Sequence, residues 1–223
     1  EREARISQIL AADSTLRYNA ETGKFYKIVS SSGTWSTART SAVSTTLGGV
    51  TGELVTINSA HENQFIWEIA QSISTSVWLG ASDQNTEGRW QWYDGSTAGE
   101  TFWYGTSTGS LVNDVYANWE TGEPNNSGDE DVAYMYYLDG QWNDTNSGTS
   151  TGAFIVQWDS DDVLNATNAL TYSIQSQTVA GAFSIDSTTG LLTVADGTLL
   201  DYESQTSHTL TVRVSDGTAD WDQ

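Results

Sequence analysis

The sequence predicts an α+β domain with two helices, mixed short strands and long loops, followed by a small all-β module. Three observations lead to this prediction. A helix-start signal at Ser59 precedes a helical apolar pattern. Short aromatic and β-branched runs, separated by turn residues, fill the chain from Val77 to Trp158. Beyond Trp158 tryptophan is sparse and short strands recur at regular spacing.

The N-terminal part of the chain predicts a connecting arm and a first helix. Residues 1–17 form an arm or a weakly amphipathic helix, since Ile6 and Ile9 fall on one side of a helical projection. Ser36–Leu47 is rich in Ala, Ser and Thr and predicts a helix that ends at Gly48-Gly49.

The second helix has a stronger signal than the first. Ser59 as N-cap and Glu62 three positions later have the spacing of a capping box, in which each residue satisfies a free N–H group of the first turn. The apolar face that follows consists of Phe65, Ile66, Ile69 and Ile73.

Seven strands are predicted in the first domain, with hairpin turns at Asp94-Gly95 and Asp139-Gly140. Between them Thr101–Asn118, rich in Gly, Ser, Thr and aromatic residues, predicts an ordered loop excursion. The predicted strands are Phe25–Val29, Glu53–Ile57, Val77–Gly80, Arg89–Tyr93, Val132–Leu138, Gln141-Trp142 and Phe154–Trp158.

The last part of the chain predicts a β-sandwich module. We place the boundary near Trp158–Asp161, which gives an arm over 1–17, a first domain over 18–158 and a second module over 159–223. Its predicted strands are Leu170–Ile174, Phe183–Ile185, Leu191–Val194 and Thr209–Val214.

The charge balance excludes several classes of partner. The chain has 8 Lys and Arg against 29 Asp and Glu, a formal net charge of −21. Nucleic-acid binding depends on Lys and Arg that neutralise phosphates, so DNA and RNA are excluded, and anionic membrane surfaces are disfavoured for the same reason. Such a chain repels itself unless it binds cations.

Other features of the composition set the expected context. The 223 residues include no Cys, so disulfides and zinc–thiolate sites are excluded. No apolar run is long enough to insert into a membrane. The chain begins at Glu1 without Met, from which we expect a piece of a longer multidomain protein.

Hard oxygen ligands cluster around the single proline of the chain. Glu123-Pro124-Asn125 is followed by Glu130-Asp131 and then by Trp142-Asn143-Asp144. Calcium takes six to eight oxygen ligands from carboxylates, amides and carbonyls, so this stretch predicts a calcium site. A Ser/His/Asp arrangement and a phosphate-binding loop are both missing, which argues against an enzyme.

Residues 18–158 resemble the C-type lectin domain. The landmarks occur in order along the chain, and the ordered set is more specific than any one of them. They are Trp35–Arg39, Gly48-Gly49, Glu53–Asn63, Trp78–Gly80, Thr86–Gly88, Glu123–Asn125, Trp142–Asp144 and Phe154–Val156.

The resemblance implies a calcium site with coordination positions left for a ligand. In this family a cis bond before the proline turns Glu and Asn toward one ion, and two neighbouring sugar hydroxyls complete its coordination. The Glu-Pro-Asn form implies mannose, fucose or N-acetylglucosamine. Carried over to this sequence, the metal and sugar ligands are Glu123, Asn125, Glu130, Asn143 and Asp144.

A second ion that orders the loop is also implied by the resemblance. Its ligands would be Asp83, Glu87, Asn126 and Asp131, with the backbone carbonyl of Glu130. The sequence departs from the family where Ala42, Val132 and Val156 lie near positions that normally hold Cys, and where Gly99–Asn118 is longer than usual. Aromatic residues in that longer segment are candidates for sugar stacking, namely Phe102, Trp103, Tyr104 and Tyr116.

The last 60 residues or so resemble an incomplete cadherin-type repeat, as found in large bacterial surface adhesins. The similarity lies in Leu170–Ile174, Phe183–Asp186, Leu200–Glu203 and Val212–Gly217. It implies calcium ligands at a junction between modules, with Asp159, Asp161, Asp201, Glu203 and Asp216 as candidates.

Together the two resemblances predict a calcium-dependent sugar-binding module of a bacterial cell-surface adhesin, with cell-surface glycans or polysaccharide as partners. Two alternatives stay open. The chain could be a lectin-like module that binds protein or peptide with purely structural calcium, or an ice-binding variant. The complete set of predicted ligands from Glu123 to Asp144 favours sugar, since a protein binder has less reason to retain them.

Overall fold

The computed structural model describes residues 2–94, 97–166, 170–215 and 220–222. The chain divides into two compact units, Glu1–Val163 and Leu164–Gln223, which are considered separately.

The helices lie mainly in the first unit, and two of them begin at capping residues, one of which the sequence predicts. Ser59 accepts a hydrogen bond from the Glu62 N–H at 3.1 Å, which confirms the predicted cap. Thr34 caps the preceding helix by accepting from the Thr37 N–H. The helices are α1 (Arg2–Ala12), α2 (Trp35–Ser44), α3 (Ala60–Ser72) and α4 (Ser160–Ala166).

One mixed sheet organises the first unit. Its main path is β1-β2-β12-β6-β7-β8-β9, and β10, β11 and β5 pair off this path. The strands are β1 (Leu16–Asn19), β2 (Lys24–Thr34), β5 (Glu53–Leu54), β6 (Val77–Ser82), β7 (Arg89–Asp94), β8 (Thr97–Tyr104), β9 (Ser110–Leu111), β10 (Val132–Met135), β11 (Trp142–Thr145) and β12 (Ser150–Asp159), with a separate hairpin of β3 (Thr46–Leu47) and β4 (Val50–Thr51).

The pairing of β10 positions the loops that carry the predicted ligands. This strand pairs with β6 on one side and with β11 on the other, both antiparallel. Ala133 lies opposite Asp144 in the register. The loop before β10 and the strand β11 are therefore held next to each other by backbone hydrogen bonds.

Buried aromatic residues hold β11 in place through Trp142. Trp142 is buried and packs against Trp92 and Trp119, with ring centroids 5.6 and 5.8 Å away. Its indole N–H donates to Asn63 Oδ1 on α3 at 2.7 Å. Full burial of such rings supplies most of the stabilisation available from packing, so this strand is rigidly placed.

A buried polar network joins α3 to the sheet. Glu62 is 2% exposed. Its carboxylate accepts hydrogen bonds from the Tyr26 hydroxyl at 2.8 Å, the Lys24 ammonium at 3.3 Å and the Asn58 N–H at 2.8 Å. Burial, reinforced by the Glu62 charge, raises the pKa of Tyr26, so the phenol stays a hydrogen-bond donor.

We expect Glu62→Ala to lower the free energy of unfolding by about 3–5 kcal/mol, because it leaves the Lys24 charge and the Tyr26 hydroxyl without their acceptor. The measurement is the urea midpoint at unchanged m-value. Glu68→Ala, at an exposed position of the same helix, is the matched control and should cost no more than about 0.5 kcal/mol. Equal effects of the two substitutions would contradict the importance of this network.

The second unit contains two small sheets. One has the strand order β13-β16-β17 and the other pairs β14 with β15. The predicted strands after residue 170 are thus present, with small shifts at their ends. They are β13 (Thr171–Gln177), β14 (Phe183–Ile185), β15 (Leu192–Val194), β16 (Leu210–Ser215) and β17 (Asp220–Asp222), with a 3-10 turn at Gly197–Leu199.

Several sequence expectations were wrong in detail. The predicted loop excursion over Thr101–Asn118 begins inside β8 and contains β9, because its aromatic residues continue the sheet. The strand β1 and the helix α4 were not predicted, since both are short and lack a clear period. The predicted strand at Glu53–Ile57 is only two residues long. Gly95 of the predicted Asp94-Gly95 turn lies outside the described residues.

Candidate metal centre

The loop that carries the predicted ligands is tied to β11 by its backbone. The Trp142 N–H donates to Asn118 O, and the Glu120 N–H donates to Trp142 O, both at 2.8 Å. The Glu123 N–H then donates to Glu120 O at 2.9 Å, and the Glu123–Pro124 peptide bond is cis. The first turn of the loop therefore begins from a fixed position on the sheet.

Asp144 connects the strand to the far side of this loop. Its side chain is 2% exposed. The two carboxylate oxygens accept hydrogen bonds from the Asn125 N–H at 3.1 Å and the Asn126 N–H at 2.8 Å. One buried carboxylate thereby orients the residues that follow the proline.

The carboxyl group of Glu123 lies in hydrogen-bond contact with that of Asp144. Loss of solvation is the largest cause that raises the pKa of Glu123, followed by this contact with Asp144, while a hydrogen bond from the Asn125 amide opposes the shift. Glu123 Oε2 is buried and has no hydrogen-bond partner among the described residues. Two carboxylates in contact repel each other unless a cation or a shared proton lies with them.

Glu130 completes the acidic part of the set. Its carboxylate accepts from the Ser127 N–H at 2.9 Å, and its own N–H donates to Asn126 Oδ1 at 2.7 Å. Loss of solvation and the charge of Asp144 raise the pKa of Glu130. The structure thus brings Glu123, Asn125, Glu130 and Asp144 together.

Asn143 is the remaining member of the predicted set. It precedes Asp144 on β11, where the burial alternates, so that Asp144 is buried and Asn143 is half-buried. Its amide has no hydrogen-bond partner in the part of the chain that the structure describes. Its role as a ligand stays a prediction.

A second acidic cluster lies close to the first. Carboxylate oxygens of Glu87, Asp129 and Asp131 lie within 4.8 Å of one another. Asp83 lies next to this cluster, because its N–H donates to Asp131 O at 3.1 Å. Burial and then the charges of Glu87 and Asp131 raise its pKa to about 7, against the opposing hydrogen bond that the Gly88 N–H donates to its Oδ2 at 2.9 Å. Asp83 Oδ1 is buried and lacks a partner among the described residues.

Asp129 was not among the ligands predicted for this second set. Asp129 has a φ of +74°, in a turn that the Gly128-Asp129 pair allows, and this turn brings it beside Asp131. The run of acids from Asp129 to Asp131 was the available signal. The Glu130 N–H donates to Asn126 Oδ1 at 2.7 Å, and the roles of Asn126 and of the Glu130 carbonyl as ligands stay predictions.

One of the predicted stacking residues cannot serve in this structure. Phe102 is fully buried and stacks on Trp92 with centroids 4.4 Å apart, so it offers no ring face to a ligand. Tyr116 is half-buried and packs edge-on against Trp142. Trp103 is half-buried and Tyr104 is exposed, which leaves both accessible.

The candidate ligands of the C-terminal module remain predictions. Asp159 Oδ1 accepts from the Asp161 N–H at 2.8 Å, and the Asp161 carboxylate pairs with Arg2, all in the first unit. Asp201 belongs to the second unit and accepts from the Glu203 N–H at 3.0 Å. Asp216 lies outside the described residues.

Comparison with known proteins identifies the family. Residues 31–155, more than half of the chain, match the sequence model of the lectin C-type domain. The chain belongs to the C-type lectin domain family. A cadherin domain is matched over residues 143–222, so the lectin domain is followed by a cadherin domain. Both families are non-enzymatic, in agreement with the expectation from the sequence.

Relatives of this lectin domain occur in very different proteins. Halomucin of Haloquadratum walsbyi is 35% identical over 135 residues, which are 60% of this chain and 1% of halomucin. C-type lectin domain family 4 member M of Nomascus concolor is 39% identical over 95 residues, which are 43% of this chain and 20% of that protein. The chain therefore spans only a small part of the length of these relatives.

Solved structures agree with the predicted fold. The mouse scavenger receptor C-type lectin carbohydrate-recognition domain matches with a TM-score of 0.50 and 27% identity, over 66% of this chain and 95% of that one. The C-type lectin CEL-I from Cucumaria echinata matches with a TM-score of 0.51 and 23% identity, over 65% of this chain and 94% of that one, and shows the fold alone. Among the described residues no helix is long and apolar enough to span a membrane.

Proposed function

We propose that the lectin domain binds carbohydrate in a calcium-dependent manner, through Glu123, Asn125, Glu130, Asn143 and Asp144. The observation that carries the proposal is the closeness of the carboxyl groups of Glu123 and Asp144, together with the buried Glu123 Oε2, which has no hydrogen-bond partner among the described residues. Such a contact is unfavourable without a cation, and the surrounding donors are oxygens of carboxylates and amides, the set that calcium prefers.

The donor set fits a calcium ion in charge as well as in chemistry. Three carboxylates would offset the two charges of the ion, and the unpartnered Glu123 Oε2 is available as a ligand. Among the described residues, the groups that donate to Asp144 and Glu130 are backbone N–H groups, so these acids are held by neutral donors. A bound calcium ion supplies coordination positions that two neighbouring sugar hydroxyls can fill.

The residues of the chain would then hold the sugar by hydrogen bonds. Glu123 and Glu130 can accept protons from the sugar hydroxyls, since an ionised carboxylate is an acceptor only. Asn125 and Asn143 can donate from their amide nitrogens to the sugar oxygens. This alternation of acceptors and donors favours a pair of adjacent hydroxyls, and the Glu-Pro-Asn order supports mannose, fucose or N-acetylglucosamine.

The neighbouring cadherin match and the halomucin relative support a role in adhesion at a prokaryotic cell surface. The lectin domain is followed by a cadherin match, and a relative lies within the far longer halomucin. We infer an extracellular module of a long surface protein, on a bacterium or a similar cell, with cell-surface glycans or polysaccharide as partners. The net charge of −21 favours a setting rich in cations.

The decisive experiment is a glycan array probed with the intact chain in calcium and then in EDTA. Because a small open site buries little surface, we expect monovalent affinity in the mM range, so the chain should be displayed multivalently. We expect mannose-, fucose- or N-acetylglucosamine-terminated glycans to bind in calcium and to be released by EDTA. Glycan binding that survives EDTA would refute the mechanism. Calcium binding without any glycan would favour the alternative, a protein-binding module with structural calcium.

A further inference from the structure

We propose that a cleft beside Glu123 binds a second, uncharged sugar residue of the same glycan, an inference that rests on the proposed function. The side cleft lies between the β8–β9 hairpin and residues 117–123, and its volume is about 370 Å³. Pockets that hold small ligands measure about 300–1,000 Å³, so the side cleft is large enough for a sugar ring. The lining residues that matter here are Trp103, Ser107, Leu111, Trp119, Glu120 and Glu123.

The lining of the side cleft has the mixed character that a sugar ring requires. Trp103 and Trp119 are half-buried, and Leu111 is 44% exposed, so apolar surface remains available to a ligand. Ser107 and Glu120 add polar groups at the same cleft. A pyranose has an apolar C–H face and a rim of hydroxyls, which match aromatic surface and hydrogen-bonding groups respectively.

Glu123 connects the side cleft to the candidate metal centre. It lines the cleft and also contacts Asp144 through its carboxyl group. The wall on this side is fixed to the same strand, because the backbone groups of Asn118 and Glu120 bond to Trp142 on β11. A glycan whose first sugar is held at Glu123 can therefore extend its next residue into the cleft.

The opposite wall is also preorganised. Trp103 Nε1 donates to Gly105 O at 3.1 Å, and the Gly105 N–H donates to Gly88 O at 2.7 Å. A Cβ at Gly109 would lie 2.2 Å from Tyr104 O and 2.6 Å from Trp103 Nε1, so the hairpin closes tightly over the indole. A wall already ordered before binding does not lose conformational freedom when a ligand arrives.

The charge of the side cleft selects the kind of sugar. Glu120 and Glu123 line it, and the described lining residues include no Lys, Arg or His. A sugar acid would meet these carboxylates without a compensating cation, so the second residue is a neutral one.

The test compares monosaccharides with disaccharides by NMR titration of the intact chain in saturating calcium. The probes are methyl α-mannoside against the α-linked mannobioses, N-acetylglucosamine against its β1→4 dimer, and fucose against fucosyl-galactose. We expect at least one neutral disaccharide to bind about 10-fold more tightly than its monosaccharide, a difference of about 1.4 kcal/mol. Its uronic-acid analogue should show no such gain.

Filling the side cleft should remove the gain. With Ser107→Trp the disaccharide should bind only as tightly as the monosaccharide, whose own affinity should change less than about 2-fold. Leu111→Ala removes apolar lining instead of filling the cleft, and it should reduce the gain. Because this variant adds no ring, its result does not depend on whether the ring added by Ser107→Trp disturbs folding. Thr108→Trp, at an exposed neighbour in the same hairpin that does not line the cleft, is the control and should preserve the full gain.

Two results would overturn the inference. If no disaccharide binds better than its monosaccharide, or if Ser107→Trp leaves the gain intact, the side cleft holds no sugar, while calcium-dependent monosaccharide binding would leave the proposed function standing. If neither class of probe binds in calcium, both the proposed function and this inference are wrong.

Discussion

Asp144→Asn is expected to abolish calcium-dependent glycan binding. The carboxylate accepts from two backbone N–H groups and contacts Glu123, so the amide nitrogen of Asn would face a donor that it cannot accept from. The substitution also removes one of the charges that would hold the ion. A loss of about 3 kcal/mol corresponds to calcium binding more than 100-fold weaker. Isothermal calorimetry with calcium and the glycan array measure the two effects.

The control for this substitution is Asp139→Asn. Asp139 is exposed, and it accepts from the Gln141 N–H in a turn that Asn can form equally well. It should leave calcium affinity and glycan binding unchanged. If Asp144→Asn retains glycan binding in calcium, the assignment of this set as the sugar site is wrong. Near-ultraviolet circular dichroism of the variant checks that the core is intact.

Asp83→Asn is expected to change stability in opposite directions with and without calcium. Asp83 is buried beside Glu87 and Asp131, and this repulsion contributes to the raised pKa of its carboxyl group. Without calcium, Asn removes the repulsion and can still accept from the Gly88 N–H, so the variant should be the more stable protein. In calcium, the wild type should gain about 2.7 kcal/mol at 100 times Kd, or about 5–10 °C in Tm, and the variant should lose most of this gain.

Calorimetric scans in EDTA and at increasing calcium concentrations measure Tm for both proteins and so show whether the order of their stabilities reverses. Asp139→Asn again serves as the matched control and should follow the wild type under both conditions. The two site variants also distinguish the contributions of the two acidic clusters. Asp144→Asn should keep most of the calcium-dependent rise in Tm, whereas Asp83→Asn should lose it. A rise in Tm that is the same in wild type and Asp83→Asn would show that this cluster does not bind the stabilising ion.

Local signals in the sequence were enough to predict much of the fold. The cap at Ser59 was predictable because both partners of the capping box lie within one turn of helix. The set around Glu123 and Asp144 was predicted from a motif, and its members meet because β11 pairs with β10 and also bonds to the loop. Asp129 was missed although it begins the acidic run, because the positive φ that turns it toward Asp131 cannot be predicted from residue type alone.

The wrong prediction of Phe102 as a stacking residue has a different cause. Three aromatic residues follow one another from Phe102 to Tyr104, so the alternation between the two faces of β8 is hidden in the sequence. Only the structure separates the buried Phe102 from the exposed Tyr104. The side cleft was likewise unpredictable. Its two walls lie close in sequence, but the gap between them depends on how the β8–β9 hairpin pairs and on the bonds that tie residues 118 and 120 to Trp142.

The position of Trp142 would let its fluorescence respond to an ion bound at the first site. This indole precedes Asn143 and Asp144 on the same strand and lies against Trp92 and Trp119. Positive charge arriving beside Asp144 changes the electric field at that indole, to which its excited state is sensitive. If an ion binds there as proposed, the share of the emission that comes from Trp142, one of ten Trp in the chain, should change, and a terbium ion in the same place would accept energy from the ring.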